Sequence, residues 1–456
     1  MPFPCPTWRT VVAVFAVCLA PISAAAGDRP HVVVVLADDL GPGDLGCWGG
    51  TVAETPNIDR LAKEGTRFTR YYAASPICSP SRCGLITGQY PARWKLTSYL
   101  QTKAGNRGCG QADHLDPEAP SVARALRAAG YKTAHFGKWH LGGGRDVADA
   151  PKFAAYGFDE HVGTWESPEP HPDITAGDWI WSPKDKVKRW ERTGFYVDKA
   201  LDFLARHKDD APCFVNVWLD DPHTPWVPNA RAGKGQETAA ALAEVLAEND
   251  RQVGRLLAGL KKLGVDRDTL VVFASDNGPL PTLGGKRSGG LRGCKLSLYE
   301  GGVRVPLIVR WPGTVPAGAV DTSTVVAAVD LFPTLCAVTG ATRPKGVVFD
   351  GEDRSAALRG KPAAGRAKPV FWEYGRNEAF FKYPTPGAGA KTTDRSPPVA
   401  VLDGDWKLLM NADGSGAELY DLRADAGESK NVAADHTAEA ARLTKLAVAW
   451  RKSLPD

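Results

Sequence analysis

The sequence predicts an α/β protein: a large, mixed, mostly parallel sheet sandwiched by helices, followed by a small C-terminal α+β domain with a short antiparallel sheet and a helix. Three observations carry this. Apolar runs of strand length, led by His31–Leu36 (HVVVVL), read as strands buried on both faces. Amphipathic helical patterns alternate with those runs, as a doubly wound sheet requires. Near Gly340 the composition changes, and short strand patterns replace the long alternation.

In chain order, Asn57–Glu64 and Ser121–Ala129 read as helices, the second with Ser121 at its N-cap and Gly130 beyond its end. Tyr131–Phe136 is a strand, Phe195–His207 a helix and Cys213–Leu219 (CFVNVWL) a strand. Glu237–Leu263 is a long helix, because Leu242, Val245, Leu246, Val253, Leu256, Leu257 and Leu260 recur near helical spacing. Leu270–Ser275 and Val305–Arg310 are further strands. Residues 341–369, rich in Lys, Arg, Gly, Ala and Pro, read as a connector. Short strands follow at Val370–Tyr374, Val399–Leu402, Trp406–Met410 and Glu418–Tyr420, with Asp403-Gly404 as a two-residue hairpin turn. A helix from about Thr437 to Arg451 closes the chain. The expected units are 1–26, 27–340, 341–369 and 370–456.

The 456 residues are 43% hydrophobic and 24% charged, which excludes a fully disordered or fibrous protein. A formal charge of +4, from 56 basic and 52 acidic residues, implies no nucleic-acid partner. At the N-terminus, Arg9 precedes the apolar run Val11–Ala20 and the small residues Ala24-Ala25-Ala26. That order reads as a secretory signal cleaved near Ala26; a buried N-terminal helix is the competing reading. No later run approaches the roughly 20 apolar residues of a membrane span, so none is expected in the mature chain. The expected location is extracellular or periplasmic. None of the nine asparagines lies in an Asn-x-Ser/Thr sequon, which favours bacterial secretion. Removing the signal leaves Cys47, Cys78, Cys83, Cys109, Cys213, Cys294 and Cys336, an odd number, so at least one stays unpaired. No CxxC and no zinc-like Cys/His spacing occurs.

Polar clusters follow the strands. His31–Leu36 ends in Asp38-Asp39, and Tyr131–Phe136 in Gly137-Lys138-Trp139-His140. Cys213–Leu219 ends in Asp220-Asp221-Pro222-His223, and Leu270–Ser275 in Asp276-Asn277-Gly278. In open α/β sheets ligands bind outside the carboxyl ends of the strands, so parallel neighbours would bring the four clusters to one rim. Asp38, Asp39, Asp276 and Asn277 offer only oxygen ligands, which suit Ca²⁺ or Mg²⁺ over zinc. The competing reading makes the first pair a helix cap and the second a turn. Lys138, His140, His223 and Lys295 would face an anion bound to that metal; otherwise the lysines are surface residues and the histidines core.

Cys78-Ser79-Pro80-Ser81-Arg82-Cys83-Gly84-Leu85-Ile86-Thr87-Gly88 carries the most information. Pro80 fits a first helical turn and Gly88 a helix stop, placing Cys78 at a helix N-terminus that favours anions. Arg82 follows one turn later and can fork to an oxygen of Cys78 or of a ligand. Spacing alone also allows an activated thiol, but that leaves the metal cluster unexplained.

CSPSRCGLITG resembles the signature of the type I sulfatases of the alkaline-phosphatase superfamily, whose Cys-x-Pro-x-Arg cysteine is oxidised to formylglycine. GYKTAHFGKWHLG resembles that family's second signature, with Phe136 bulkier than usual. VVVVLADDLG, DDPHTPW, FASDNG and LRGCKLSLYEGGVRVP match other family landmarks in order, over about His31 to Gly340. The resemblance implies Ca²⁺ (or Mg²⁺) held by Asp38, Asp39, Asp276, Asn277 and the modified Cys78, with Cys78 the formylglycine precursor. It implies Arg82 on the aldehyde hydrate, and Lys138, His140, His223 and Lys295 on sulfate and protons. Near Lys295 the family usually has glycine where this chain has Leu296. The implied activity is sulfate removal from a sulfated carbohydrate or aryl sulfate, after maturation by a formylglycine-generating enzyme. One hydroxyl of the aldehyde hydrate attacks sulfur, and the other then expels sulfate; a plain serine would stall as a stable ester. The alternatives are a phosphodiesterase or phosphonate monoester hydrolase of the same superfamily, and an inactive sulfated-glycan-binding protein. Trp165, Trp179, Trp181 and Trp190 crowd one loop region as a stacking platform for sugars or as loop packing.

Overall fold

A computed structural model describes residues 1–4, 29–177, 181–231, 237–361, 365–376 and 394–455. The expected signal segment falls almost wholly outside them, as does Trp179.

Eight strands form the main sheet: β1 (His31–Ala37), β2 (Thr66–Phe68), β3 (Lys132–Gly137), β4 (Glu160–Gly163), β5 (Cys213–Trp218), β6 (Thr269–Ser275), β7 (Leu307–Arg310) and β8 (Ala319–Asp321). Their spatial order is β4-β3-β5-β1-β6-β7-β2-β8. All pairings are parallel except those of β7, which runs against both β6 and β2. The expected mixed, mostly parallel sheet is present. β1 lies between β5 and β6, with Val34 opposite both Asn216 and Val272. That double pairing explains its unbroken apolar sequence. Alternate β1 residues enter two separate cores: Val32, Val34 and Leu36 on one face, Val33, Val35 and Ala37 on the other.

The second face is covered by the helices Pro56–Glu64, Arg192–His207 and Ala239–Lys262. The first carries the helices Cys78–Thr87, Val122–Ala128 and Leu331–Thr339. Ser121 caps Val122–Ala128 as expected, its side chain accepting from the Arg124 N–H. The expected strand Val305–Arg310 begins only at Leu307, because Pro306 has no N–H to donate.

The C-terminal sheet is antiparallel, β9 (Val370–Glu373), β10 (Val399–Asp403), β11 (Trp406–Met410) and β12 (Glu418–Asp421) in sequential order, with the helix Thr437–Lys452 against it. Asp403 pairs with Trp406, so the two-residue turn is Gly404-Asp405, one step later than the sequence suggests. Gly404 takes the first turn position with φ 62°.

Lys407 of β11 reaches Glu300 of the main domain, Nζ lying 2.8 Å from it and 3.1 Å from Glu428 of the C-terminal unit, all three fully buried. The Tyr72 hydroxyl donates to Glu300 at 3.0 Å. Removing one partner from a buried charge group leaves the others uncompensated. Lys407→Met is therefore expected to lower stability by about 3 kcal/mol or more in chemical denaturation.

Candidate active site

The four polar clusters do converge. Beyond the strands the ladder continues for one more step: Asp38 N–H donates to Asp221 O (3.1 Å), Asp276 N–H to Ala37 O (3.1 Å) and Lys138 N–H to Trp218 O (2.9 Å). These bonds fix four chain segments at adjoining strand ends before any side chain acts. At Gly137 φ is 119°, and a Cβ would lie 1.8 Å from Trp218 O, so only glycine lets the backbone approach this closely.

Cys78 is the first residue of a buried helix that ends at Gly88 in the left-handed conformation. Its Sγ lies 3.8 Å from Asp38 Oδ1. Arg82, one turn along, donates from Nε and Nη2 to Asp276 Oδ2 (3.0 and 2.8 Å) and from Nη1 to Lys138 O (2.8 Å). Its Nη2 is also 3.3 Å from Asp38. Lys138 Nζ donates to Asp38 Oδ2 at 2.5 Å and Lys295 Nζ to Asp39 at 2.8 Å. His223 Nε2 lies 3.8 Å from Asp39. Apart from His140, the site residues expected from the sequence therefore fall in one bonded cluster; His140, two residues after Lys138, turns its Nε2 to Glu166 (3.5 Å) and the Leu100 carbonyl (3.3 Å).

Ligating atoms of Asp38, Asp39, Cys78 and His223 all lie within 4.8 Å of one another, a group that could hold a metal ion. Asn277 adds an oxygen. Its amide N–H₂ donates to Asp39 Oδ1 (2.7 Å) and Gly278 O (2.9 Å), while its buried Oδ1 has no partner. A buried carbonyl oxygen beside three carboxylates lacks a donor and suits a hard cation. The donor set thus fits Ca²⁺ or Mg²⁺.

Electrostatics divide the site. Burial works against the charge on Lys138 and Lys295, yet the surrounding anionic groups, led by Asp38 and Asp39 respectively, together outweigh it and hold both pKa values above the ordinary range. Burial, then Asp38, pushes Asp276 up to about 6 despite Arg82. Burial pushes the Cys78 thiol up to about 12, against the pull of Lys138 and Lys295. A thiol so placed stays protonated at neutral pH, which argues against the activated-thiol reading. Burial lowers His140 to about 3 and His223 to about 4, so both rings are neutral in this arrangement.

Three residues of the cluster adopt the left-handed conformation without being glycine: Asp39 (φ 63°), His140 (φ 52°) and Leu296 (φ 73°). Leu296 is the position where the resembled family favours glycine, and the positive φ supplies the reason. Arg287 buttresses Asp39: it pairs with Asp44 at 2.9 Å and donates from Nη2 to Asp39 O at 2.8 Å, fully buried. Phe136 points away from the cluster and packs edge-on against Phe203, so its bulk serves the opposite core.

Some neighbours carry no signal in the sequence. Glu166 is buried 3.5 Å from His140 Nε2 and bonded to Arg145, whose guanidinium lies over the Trp165 ring. It sits in a loop with no motif to mark it. Asp220 and Asp221, which precede His223, turn to Arg192 (2.9 Å) and Arg189 (2.6 Å). Arg189 also donates to the His223 carbonyl at 3.1 Å, so this acidic pair anchors the histidine loop. Among the described tryptophans, Trp165 stands beside Arg145, whereas Trp190 lines a shallow pocket with Phe195 and Arg251. All seven cysteines from Cys47 onward are free thiols.

Residues 30–341 match the family model described as Sulfatase, and residues 294–449 match that of the C-terminal region of N-sulphoglucosamine sulphohydrolase. The chain is 29% identical to an N-acetylgalactosamine-6-O-sulfatase of Bacteroides thetaiotaomicron, over 92% of each chain. It is 33% identical to the N-acetylgalactosamine-6-sulfatase of Canis lupus familiaris, covering 81% of this chain and 72% of that one. Among solved structures, a protein described under the metabolism of multiple glycosaminoglycans by Bacteroides thetaiotaomicron superposes with a TM-score of 0.76 at 27% identity. That match covers 93% of this chain and 100% of the other. With a family model spanning most of its length and a relative of this identity and coverage, the chain belongs to the sulfatase family and is a sulfatase, a hydrolase of sulfate esters.

Proposed function

We propose that the protein removes sulfate from sulfated carbohydrates, with 6-sulfated N-acetylgalactosamine units the first substrate to test, using Cys78 converted to formylglycine. The observation that carries this reading is the setting of Cys78 Sγ at the start of a buried helix, 3.8 Å from Asp38 and within a group of ligating atoms that could hold a cation. The relatives' substrates support the choice of sugar. Aryl sulfates would serve as surrogate substrates. Maturation requires a formylglycine-generating enzyme, and the N-terminal signal would send the protein to the periplasm or outside the cell.

Asp38, Asp39, Asp276, Asn277 and the modified Cys78 would hold Ca²⁺ or Mg²⁺. Bound there, the cation supplies Lewis acidity to a sulfate oxygen. Arg82 orients Asp276 and Asp38 from behind. Lys138 and Lys295 set two positive charges across the carboxylates, where sulfate oxygens and the leaving oxygen gather charge. His140 and His223 are neutral before substrate arrives; an anionic ester beside them raises their pKa and makes an imidazolium available as acid to the leaving oxygen.

Desulfation of defined sulfated monosaccharides tests the substrate. Release from 6-sulfated N-acetylgalactosamine at a rate no better than from positional isomers would sink the preference. Chelation followed by gel filtration is expected to abolish aryl sulfate turnover, with Ca²⁺ or Mg²⁺ restoring it. A metal-free sample at full rate would reduce the oxygen cluster to a structural role.

A further inference from the structure

A cavity of about 750 Å³ lies between the main domain and the C-terminal sheet and shares no residue with the catalytic cluster. Six basic side chains line it: Arg70, Arg304, Arg354, Arg366, Lys368 and Arg423. Among the described residues, Asp403 and Asp405 are the acidic ones in its wall. Several cations are already answered. Arg70 pairs with Asp405 (2.6 Å), Arg304 with Glu300 (3.3 Å), Arg354 with Glu352 (2.5 Å), and Arg366 with Asp330. What remains is a surplus. Lys368 and Arg423 are exposed and have no carboxylate partner among the described residues; Lys368 Nζ donates to the Phe349 carbonyl at 2.7 Å, which leaves its charge unbalanced. Arg366 keeps a buried Nη2 without an acceptor at the cavity wall. Burial and then the neighbouring Arg366 push Arg354 below its ordinary pKa, as crowded guanidinium groups would. Thr322, Ser323 and Thr324 bring hydroxyl groups to the same cavity.

The place of this surplus in the fold matters as much as its sign. β2 and β8 run in the direction of β1, so Arg70 and Thr322, which follow them, stand on the same rim of the sheet as the catalytic cluster. β2 is three strands from β1, about 14 Å along that rim. The segment that carries Lys295 into the cluster ends at Arg304 in the cavity, nine residues later, where Arg304 Nε donates to Thr69 O at 2.6 Å. A chain of sulfated sugars held by one sulfate at the cluster can present a second oxyanion to this cavity.

We propose that this basic cavity is a second binding site for an oxyanion, engaged by a sulfate group of a polymeric substrate beyond the one being cleaved. Arg423 and Lys368 meet the anion at the mouth, with the Thr322 hydroxyl as a further donor; the Ser323 hydroxyl already donates to Asp321 at 3.2 Å. The choice of a sulfated glycan as the source rests on the function proposed above; the cavity's preference for an oxyanion does not.

The double variant Lys368→Ala/Arg423→Ala tests it, since both side chains are exposed and neither belongs to the catalytic cluster. Without these two cationic donors, binding of a sulfated galactosaminoglycan oligosaccharide is expected to weaken about tenfold by calorimetry. Its KM should rise by the same factor, with kcat, and kcat/KM on a small aryl sulfate, unchanged. Titration with inorganic sulfate separates the sources. Weakened oligosaccharide binding with no effect on free sulfate assigns the cavity to the polymer, and parallel weakening of both assigns it to the sulfate group itself. Unchanged affinity for both ligands in the double variant overturns the proposal. Absence of any sulfatase turnover in the wild type would remove the proposed function, yet the calorimetric arm would still decide the cavity.

Discussion

Cys78→Ala is expected to abolish steady-state turnover, by at least about 10³-fold, while the protein stays folded. Cys78 is 2% exposed and lies at a helix start that has no side-chain cap, so truncating it removes one sulfur and no helix hydrogen bond. The stability cost should be about 1 kcal/mol, readable as a small shift in denaturation midpoint. Cys78→Ser sharpens the test. A serine hydroxyl could accept sulfate once but lacks the second hydroxyl on the same carbon that expels it. The expected result is a single stoichiometric release of phenol from an aryl sulfate, followed by silence and a protein heavier by one sulfate group. Mass spectrometry of wild-type Cys78 peptide, from a host able to generate formylglycine, should find the aldehyde or its hydrate. A fully active enzyme carrying only thiol there would remove the mechanism, and a Cys78→Ser variant that keeps turning over would do the same.

The sheet centre was legible because its physics is local. β1 and β6 are buried on both faces and paired on both sides, so their sequences carry almost no polar residue until the strand ends. The abrupt change to Asp38 or Asp276 then marks the rim. The sheet edges were not legible. β2, β4 and β8 have three or four residues each, too few for any periodicity, and their pairing is decided by distant strands. The helix Leu331–Thr339 is equally hidden; it is apolar almost all round because it is buried between other helices, so no amphipathic stripe marks it. In the site, residues inside motifs could be named in advance. Residues that reach it from loops, such as Glu166 and Arg287, could not, because what places them is the fold of segments with no repeating pattern. Asp220 and Asp221 are visible in their motif, but their role is not. It depends on Arg189 and Arg192, at the start of a helix some 30 residues earlier.

Lys138→Ala is expected to lower kcat on the order of 10²-fold or more, beyond any rise in KM. Lys138 follows β3, and its carbonyl is held by Arg82 while its Nζ lies on Asp38 Oδ2 at 2.5 Å, so the ammonium is fixed at the carboxylate cluster before substrate binds. Asp38 sustains the ammonium charge against the cost of burial, and Lys138 remains cationic throughout the working pH range. A fixed point charge at that place interacts most strongly with whichever oxygen gains negative charge as the S–O bond breaks. The loss should therefore grow with the pKa of the leaving alcohol, small for an acidic phenol and large for a sugar hydroxyl. Steady-state kinetics on a series of aryl sulfates would read this as a steeper dependence of log kcat on leaving-group pKa in the variant. Removing the ammonium also leaves Asp38 with Arg82 at 3.3 Å as its remaining cation, so cation binding should tighten or hold while kcat falls. A variant with wild-type kcat and only a raised KM would make Lys138 a ground-state contact, and an unchanged slope would place the developing charge on another residue, with Lys295 and the two histidines next to be tested.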